Sequence, residues 1–351
     1  MIKPLLFLPG PMQVPGPIRA AADRPMFNHR SDEMDRLIAK LETGCRPLFG
    51  TSGDVLFFAS SGTGAMESAI VNLTSAGDEV IVFDGGAFAH RWTEIAAAYG
   101  LQVHAIDVDW TIGATLHDVE RALTAHPNAR VIFLTWSESS TGVLLELEEI
   151  GRLIRSQNRI LVADAVSGLA VSPMQMDDWC IDAVVAGSQK GLMLPPGLGL
   201  VAVGPRAWEK AAAATNPRYY WDWKRYKKAV PFTPATTILF QLEAALGEVE
   251  SQGHERFFLR KTYVADKIRA LIKSSGFGIY AVRPGNGVTC AVPESGFDIE
   301  GLIRRLERDF GIQIAGNLGR LKGMTFRIGH VGHVADDELE YFIQSFKRCL
   351  N

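Results

Sequence analysis

The sequence predicts an α/β fold: a large domain whose mostly parallel sheet is covered by helices, joined to a small C-terminal α+β domain. Three observations carry this. From about residue 20 to 205, short and nearly all-apolar runs alternate with amphipathic stretches. Strands covered by helices on both faces read this way, and regular strand–helix alternation implies parallel neighbours. Beyond residue 205 the alternation stops, and a long helical pattern leads into isolated strand candidates.

In chain order, the opening segment from Leu8-Pro9-Gly10-Pro11 to Pro15-Gly16-Pro17 is dense in turn formers and is expected to be extended coil. Strand candidates follow at residues 55–59, 80–83, 103–106, 131–135, 160–163, 183–186 and 200–203. Helical periodicity marks 64–73, 90–99, 116–125 and 147–156. An aromatic loop, Tyr219-Tyr220-Trp221-Asp222-Trp223, leads to a helical pattern over 235–274. That stretch exceeds an ordinary helix, so a break near Gly253 or a connection between domains is expected. The last hundred residues offer strands at 288–292, 312–315 and 325–328 and helices at 299–310 and 336–350. The expected division is a large domain of residues 16–250 and a small one of residues 1–15 with 251–351.

Composition removes several classes of function. The 351 residues carry 36 basic and 39 acidic side chains, a net charge of −3, which argues against phosphate-driven nucleic-acid binding and against a polybasic membrane surface. No apolar run approaches the length of a membrane span. Cys45, Cys180, Cys290 and Cys349 are far apart, so reduced thiols in a cytoplasmic protein are expected. His330-x-x-His333 has metal-like spacing but no carboxylate or cysteine partner, and no metal is expected there. Asn28-His29-Arg30 reads equally as a solvated turn or as part of an active-site mouth or subunit contact. The aromatic patch at 219–223, with Lys224, Arg225, Lys227 and Lys228, reads as an active-site loop or subunit contact rather than a nucleic-acid surface.

Three segments carry chemistry. Ser60-Ser61-Gly62-Thr63-Gly64 lies after a strand and before a helix, where free backbone N–H groups and the helix dipole make an anion site. It lacks the lysine of a nucleotide P-loop and suits a small phosphorylated cofactor better than ATP. Asp164 stands at the carboxyl end of an apolar strand, where ligands of parallel sheets gather, although an Asp capping the next turn would look the same. Lys190 follows another strand, in Gly187-Ser188-Gln189-Lys190. A strand-end acid, a strand-end lysine and a phosphate-type loop together fit pyridoxal 5′-phosphate, which needs an acid at its ring nitrogen, a lysine on its aldehyde and a cradle for its phosphate.

Gly187-Ser188-Gln189-Lys190, followed by Pro195-Pro196-Gly197, closely resembles the class V pyridoxal-phosphate aminotransferases of the alanine–glyoxylate and serine–glyoxylate type. Pro9-Gly10-Pro11, Ser61-Gly62-Thr63-Gly64, Glu138-Ser139-Ser140-Thr141-Gly142-Val143, Asp164-Ala165-Val166-Ser167 and Arg327-Ile328-Gly329 extend the resemblance over nearly the whole chain. The resemblance implies a fold-type I transferase. Lys190 would be the Schiff-base lysine and Asp164 the partner of the pyridine nitrogen. Ser61, Gly62, Thr63 and Gln189 would hold the phosphate, with Thr233 added from a neighbouring subunit of a homodimer. Ser139 would lie near the ring's phenolic oxygen, Phe88 and Val166 against its two faces, and Arg327 on the substrate carboxylate.

The implied reaction is amino transfer from a small amino acid, alanine or serine, to a 2-oxo acid such as glyoxylate or pyruvate. Two residues depart from the family pattern: Val230 stands where better-known members carry a tyrosine near the phosphate, and Phe88 where many carry a tryptophan. If the tyrosine's donor is replaced, Tyr219, Tyr220 or Tyr226 would supply it. A lyase of the cysteine desulfurase type is the nearest alternative; that family has histidines at the places held here by Phe88 and Gln189. A non-catalytic cofactor-binding subunit of a larger complex is the other.

Overall fold

Each of the seven apolar runs between residues 55 and 203 is a strand of one sheet, and the alternating helices lie between them in sequence. In the computed structural model, which describes residues 4–228 and 230–350, the chain opens with β1 (Leu5–Leu6), α1 (Gly16–Ala20) and α2 (Asp32–Phe49). The alternation is β2 (Asp54–Phe58), α3 (Gly62–Leu73), β3 (Glu79–Asp84), α4 (Ala89–Ala98), β4 (Gln102–Asp107), α5 (Leu116–Ala125) and β5 (Val131–Thr135). A small hairpin of β6 (Ser137–Glu138) and β7 (Val143–Leu144) precedes α6 (Leu147–Ser156), β8 (Ile160–Asp164), β9 (Ala183–Gly187) and β10 (Gly199–Val203).

The order across the sheet is β2-β10-β9-β8-β5-β3-β4. Strands β9, β8, β5, β3 and β4 are parallel, while β10 runs antiparallel to both β9 and β2. The reversal has a simple cause: β10 follows β9 through a short loop with no crossover helix, and only antiparallel neighbours can be joined that way. Both faces of the sheet are buried. Ile132, Leu161, Val184 and Leu200 pack on one side, and Val131, Phe133, Val162, Val185 and Val201 on the other.

Two local expectations needed correction. The opening coil ends at Pro15, because α1 starts at Gly16 with proline in its first turn. Helix α2 was not foreseen. Its buried Met34, Leu37, Leu41, Cys45 and Leu48 keep helical spacing, and acids fill its first turn, but Pro47 in the last turn masks the pattern.

Beyond α7 (Pro205–Ala213) and α8 (Trp223–Lys228), the long pattern breaks at Gly253, φ +78°, into α9 (Thr236–Gln252) and α10 (His254–Ser274). Strands β11 (Gly278–Ile279), β12 (Val288–Val292), β14 (Ala315–Gly316) and β15 (Phe326–Gly329) form a second sheet in the order β11-β12-β15-β14. The run at 312–315 is divided: β13 (Ile312–Gln313) pairs with β1, and β14 pairs with β15. Helices α11 (Ile299–Phe310) and α12 (Asp336–Leu350) complete this part, and Phe7 from the N-terminal segment lies in its core. Among the described residues, no helix is long and apolar enough to cross a membrane.

Candidate active site

The carboxyl ends of β2, β8 and β9 meet at one edge of the large sheet, and each hands its chain to a segment that sequence reasoning marked. After β2 the backbone turns into α3. Ser61 precedes the helix in an extended conformation and its side chain makes no cap, so the N–H groups of the first turn point outward without a local acceptor. Gly62 fits because Val166 packs against it: a Cβ there would meet Val166 Cγ2 at 2.6 Å. Gly64 is held in the same way, with Trp221 Cη2 at 2.6 Å from any Cβ. Backbone donors, a helix dipole and tight glycines make this an anion cradle.

At the end of β8, Asp164 is buried and Oδ1 accepts from the Val166 N–H at 2.8 Å. Burial raises its pKa to about 7 against the opposing pull of that N–H bond; the nearby Glu138 charge adds to the rise, while Lys190 and Arg91 work against it. Past β9, Lys190 is also buried, and Nζ donates to the Pro9 carbonyl at 2.5 Å. Burial lowers its pKa to about 8, the Asp164 charge resisting and Arg327 reinforcing the drop. Gly10 lies against the lysine stem, where a Cβ would sit 2.7 Å from Cδ and Cε, at φ +134°. The N-terminal Pro-Gly-Pro turn thus shapes the lysine's surroundings, a contact between segments 181 residues apart that no local pattern could reveal.

Ser61, Gly62, Thr63, Phe88, Asp164, Val166, Gln189 and Lys190 line a single cavity of about 250 Å³. Gly10 and Arg91, to which sequence reasoning gave no role, line it too. Glu138 organises one wall from behind. Its carboxylate accepts from the Phe88 N–H at 3.1 Å, the Ala89 N–H at 2.8 Å, the Ser140 N–H at 2.9 Å and the Ser140 hydroxyl at 2.6 Å. A carboxylate from another strand therefore caps α4, whose own N-cap, Phe88, has no side chain able to do so. Burial raises the Glu138 pKa, and the four donors hold it down.

Three expected residues stand outside this cavity. Arg327, on β15, is buried and donates to the Gly316 carbonyl at 3.0 and 2.9 Å and to the Ser139 carbonyl at 3.2 Å. These are its only polar partners among the described residues, and none is a carboxylate; burial lowers its pKa. Ser139 is buried with its hydroxyl unpartnered. Thr233 is exposed and away from the cavity of its own chain.

The tyrosines near Val230 do not line the cavity either. Tyr220 donates to the Ala59 carbonyl at 3.3 Å and stacks on Phe232, and Tyr226 lines a separate cavity with Val230. In the basic patch, Lys227 pairs with Asp54 at 2.7 Å and Arg225 lies 4.4 Å from the Tyr219 ring; the Lys228 side chain lies outside the described residues. His330 is a satisfied core residue, its ring nitrogens meeting Thr289 Oγ1 at 2.9 Å and the Asn286 carbonyl at 3.0 Å. Asn28 closes the turn before α2, its Oδ1 accepting from the Arg30 N–H at 2.9 Å.

The cavity suits a pyridine ring bearing a phosphate and an aldehyde. Among the described residues, Asp164 offers a buried carboxylate answered by one N–H and no ion pair, the α3 terminus offers free donors, and Gln189 Oε1 is a buried polar atom still lacking a partner.

The profile described as "Aminotransferase class-V" matches residues 18–316. The chain is 36% identical to a "Soluble hydrogenase, small subunit" from Synechococcus sp., over 99% of this chain and 93% of that one. It is 32% identical to an L-aspartate–glyoxylate aminotransferase from Paracoccus denitrificans, over 94% of this chain and 87% of the other. The crystal structure of an alanine–glyoxylate aminotransferase from Nostoc sp. shares the fold, with a TM-score of 0.95 at 24% identity over 100% of this chain and 96% of that one. With the match covering most of its length, the chain belongs to the class V aminotransferases, enzymes of the fold-type I architecture that depend on pyridoxal 5′-phosphate.

Proposed function

We propose that this enzyme transfers an amino group from a small amino acid, alanine or serine, to a 2-oxo acid such as glyoxylate or pyruvate. One observation carries the reading: Lys190 and Asp164 face one cavity from adjacent strand ends, each charge altering the other's ionisation. The Paracoccus and Nostoc relatives are both named for glyoxylate and differ in the amino donor, aspartate in one and alanine in the other.

Pyridoxal 5′-phosphate, when bound, supplies an aldehyde that takes up amino groups and a ring that withdraws electrons from the substrate's Cα. Lys190 would hold that aldehyde, and its Nζ, whose pKa burial lowers to about 8, would be the base that moves the substrate's Cα proton. Asp164 would hold a proton at the ring nitrogen. Ser61, Gly62, Thr63 and Gln189 hold the phosphate, Ser139 serves the ring's phenolic oxygen, and Phe88 and Val166 enclose the ring. Arg327 would bind the substrate carboxylate; its guanidinium is desolvated and, among the described residues, answered only by carbonyls, so an anion improves its surroundings. Thr233 of a second copy completes the phosphate site, which explains its exposure here.

The enzyme acts in the cytoplasm as a homodimer on this reading, and its four free cysteines suit a reducing compartment. The Synechococcus relative's name favours a second reading, in which the chain serves as a cofactor-binding subunit of a larger complex. A panel of amino donors, each mixed with the cofactor-loaded enzyme without acceptor, separates the two. Bleaching of the cofactor's visible absorbance by alanine or serine, reversed by glyoxylate or pyruvate, is expected of the transferase. An absorbance that no amino acid disturbs identifies the silent subunit, and sulfide release from cysteine identifies a desulfurase.

A further inference from the structure

Arg91 lies in the first turn of α4 and lines the cavity that holds Lys190 and Asp164. Its Nη1 donates to Thr63 Oγ1 at 3.0 Å, and its guanidinium carbon stands 4.9 Å from the centre of the Phe88 ring. Among the described residues Thr63 Oγ1 is the guanidinium's only hydrogen-bond partner, and no carboxylate lies at ion-pair distance.

We propose that Arg91 is the charge partner of the cofactor's phosphate, acting together with the Thr63 hydroxyl that it orients. The proposal rests on the reading that the α3 terminus holds that phosphate, and three physical points lead to it. The first is charge. A phosphomonoester carries about −1.5 to −2 at neutral pH, whereas a helix N-terminus offers only about half a positive charge. The cavity is lined by two cationic side chains, Lys190 and Arg91, and Lys190 is spent on the aldehyde. Arg91 is the cation that remains.

The second point is the direction of the Thr63 hydrogen. Because Oγ1 accepts from Arg91, the hydroxyl's own hydrogen turns away from the guanidinium and is free to donate to an acceptor in the cavity. A threonine rotor that could face either way is thereby set as a donor, beside the backbone N–H groups of the same turn.

The third point is preorganisation. The Phe88 ring supports the guanidinium, and the Phe88 backbone is itself fixed by Glu138 at 3.1 Å. Nε and Nη2 remain without protein acceptors among the described residues, and a planar fork suits phosphate oxygens. Arg91 is therefore a positioning and charge-balancing residue for the cofactor, distinct from Arg327 on the small sheet.

The test compares two probes, pyridoxal 5′-phosphate and pyridoxal, which differ only in the phosphate. Their affinities for the full-length enzyme freed of cofactor are measured by fluorescence titration for the parent, Arg91→Met and Arg91→Lys. The expected result for Arg91→Met is a loss of about tenfold or more for pyridoxal 5′-phosphate, the weight of one charged hydrogen bond, with pyridoxal affinity unchanged. Arg91→Lys should recover part of the loss. Equal weakening of both probes, or no weakening of the phosphorylated one, overturns the proposal. Should Arg91→Met fail to fold, the ratio of the two affinities in Arg91→Lys decides in the same way. A parent enzyme that binds both probes equally overturns the placement of the phosphate at α3, and this proposal with it.

Discussion

Lys190 and Lys261 are both buried, and both donate to backbone carbonyls: Lys190 to Pro9, Lys261 to Val331 at 2.9 Å and Gly332 at 2.5 Å. Burial lowers both pKa values, to about 8 for Lys190 and about 7 for Lys261. Lys261 even lines the larger cavity, about 540 Å³ against about 250 Å³. What separates them is company. Lys190 stands past a strand end, with the Asp164 charge opposing its desolvation and an anion cradle in the same cavity. The other charge felt by Lys261 is that of Arg260, which already pairs with Asp336 at 2.6 Å. A perturbed amine marks a reactive site only when an opposite charge and room for a ligand stand beside it. Lys261 is a structural tie between α10 and the loop after β15.

Substitutions can break or sharpen that contrast, and the largest effect belongs to Lys190→Ala. Amino transfer should fall by about 10,000-fold or more, since tether and proton carrier go together. Steady-state assay with glyoxylate checks this, and circular dichroism should show the fold retained.

Asp164→Asn comes next. An amide cannot hold a proton on the ring nitrogen, so about 3–5 kcal/mol of transition-state stabilisation should disappear, roughly 100- to several thousand-fold in rate. Single-turnover absorbance measures the proton transfer, and a near-parental rate would reduce Asp164 to a turn-capping residue.

Arg327→Ala should weaken substrate binding by about 2–5 kcal/mol, the cost of removing one partner of a buried charge pair, while the cofactor's spectrum stays the same. Arg327→Lys should recover only part, lacking the planar fork. Loss of cofactor in either variant would contradict the carboxylate role.

The smallest catalytic effect is expected from Lys261→Met, with activity within about threefold of the parent, as for distant and uncoupled sites. Its signature is in stability. The folded-state pKa of Lys261 is depressed from 10.5 to about 7, so between those values the unfolded chain binds more protons and stability rises with pH. Denaturant titrations from pH 7 to 10 should show that rise in the parent and a flatter profile in Lys261→Met. An unchanged slope would mean that Lys261 stays charged when buried.

The contrast also explains what could be read in the sequence. Strand ends are local features, so the positions of Asp164 and Lys190 were legible from apolar runs and the residues that close them. The cradle at Ser61–Gly64 was legible for the same reason. Contacts between distant segments were not: Gly10 against the Lys190 stem, Glu138 capping α4, and Arg91 on Thr63 each join parts of the chain that no periodicity connects. The reversed β10 escaped because an apolar run looks alike in either direction, and only the missing crossover helix betrays it. Arg327 came from the family resemblance alone, because its carbonyl partners, Gly316 and Ser139, belong to other segments that no local pattern joins to it.

Reduction of the cofactor-loaded enzyme with borohydride, followed by proteolysis and mass spectrometry, identifies the lysine that carries the cofactor. One pyridoxyl-labelled peptide is expected, the one containing Gly187-Ser188-Gln189-Lys190. A label on Lys261, or on any lysine other than Lys190, would contradict it.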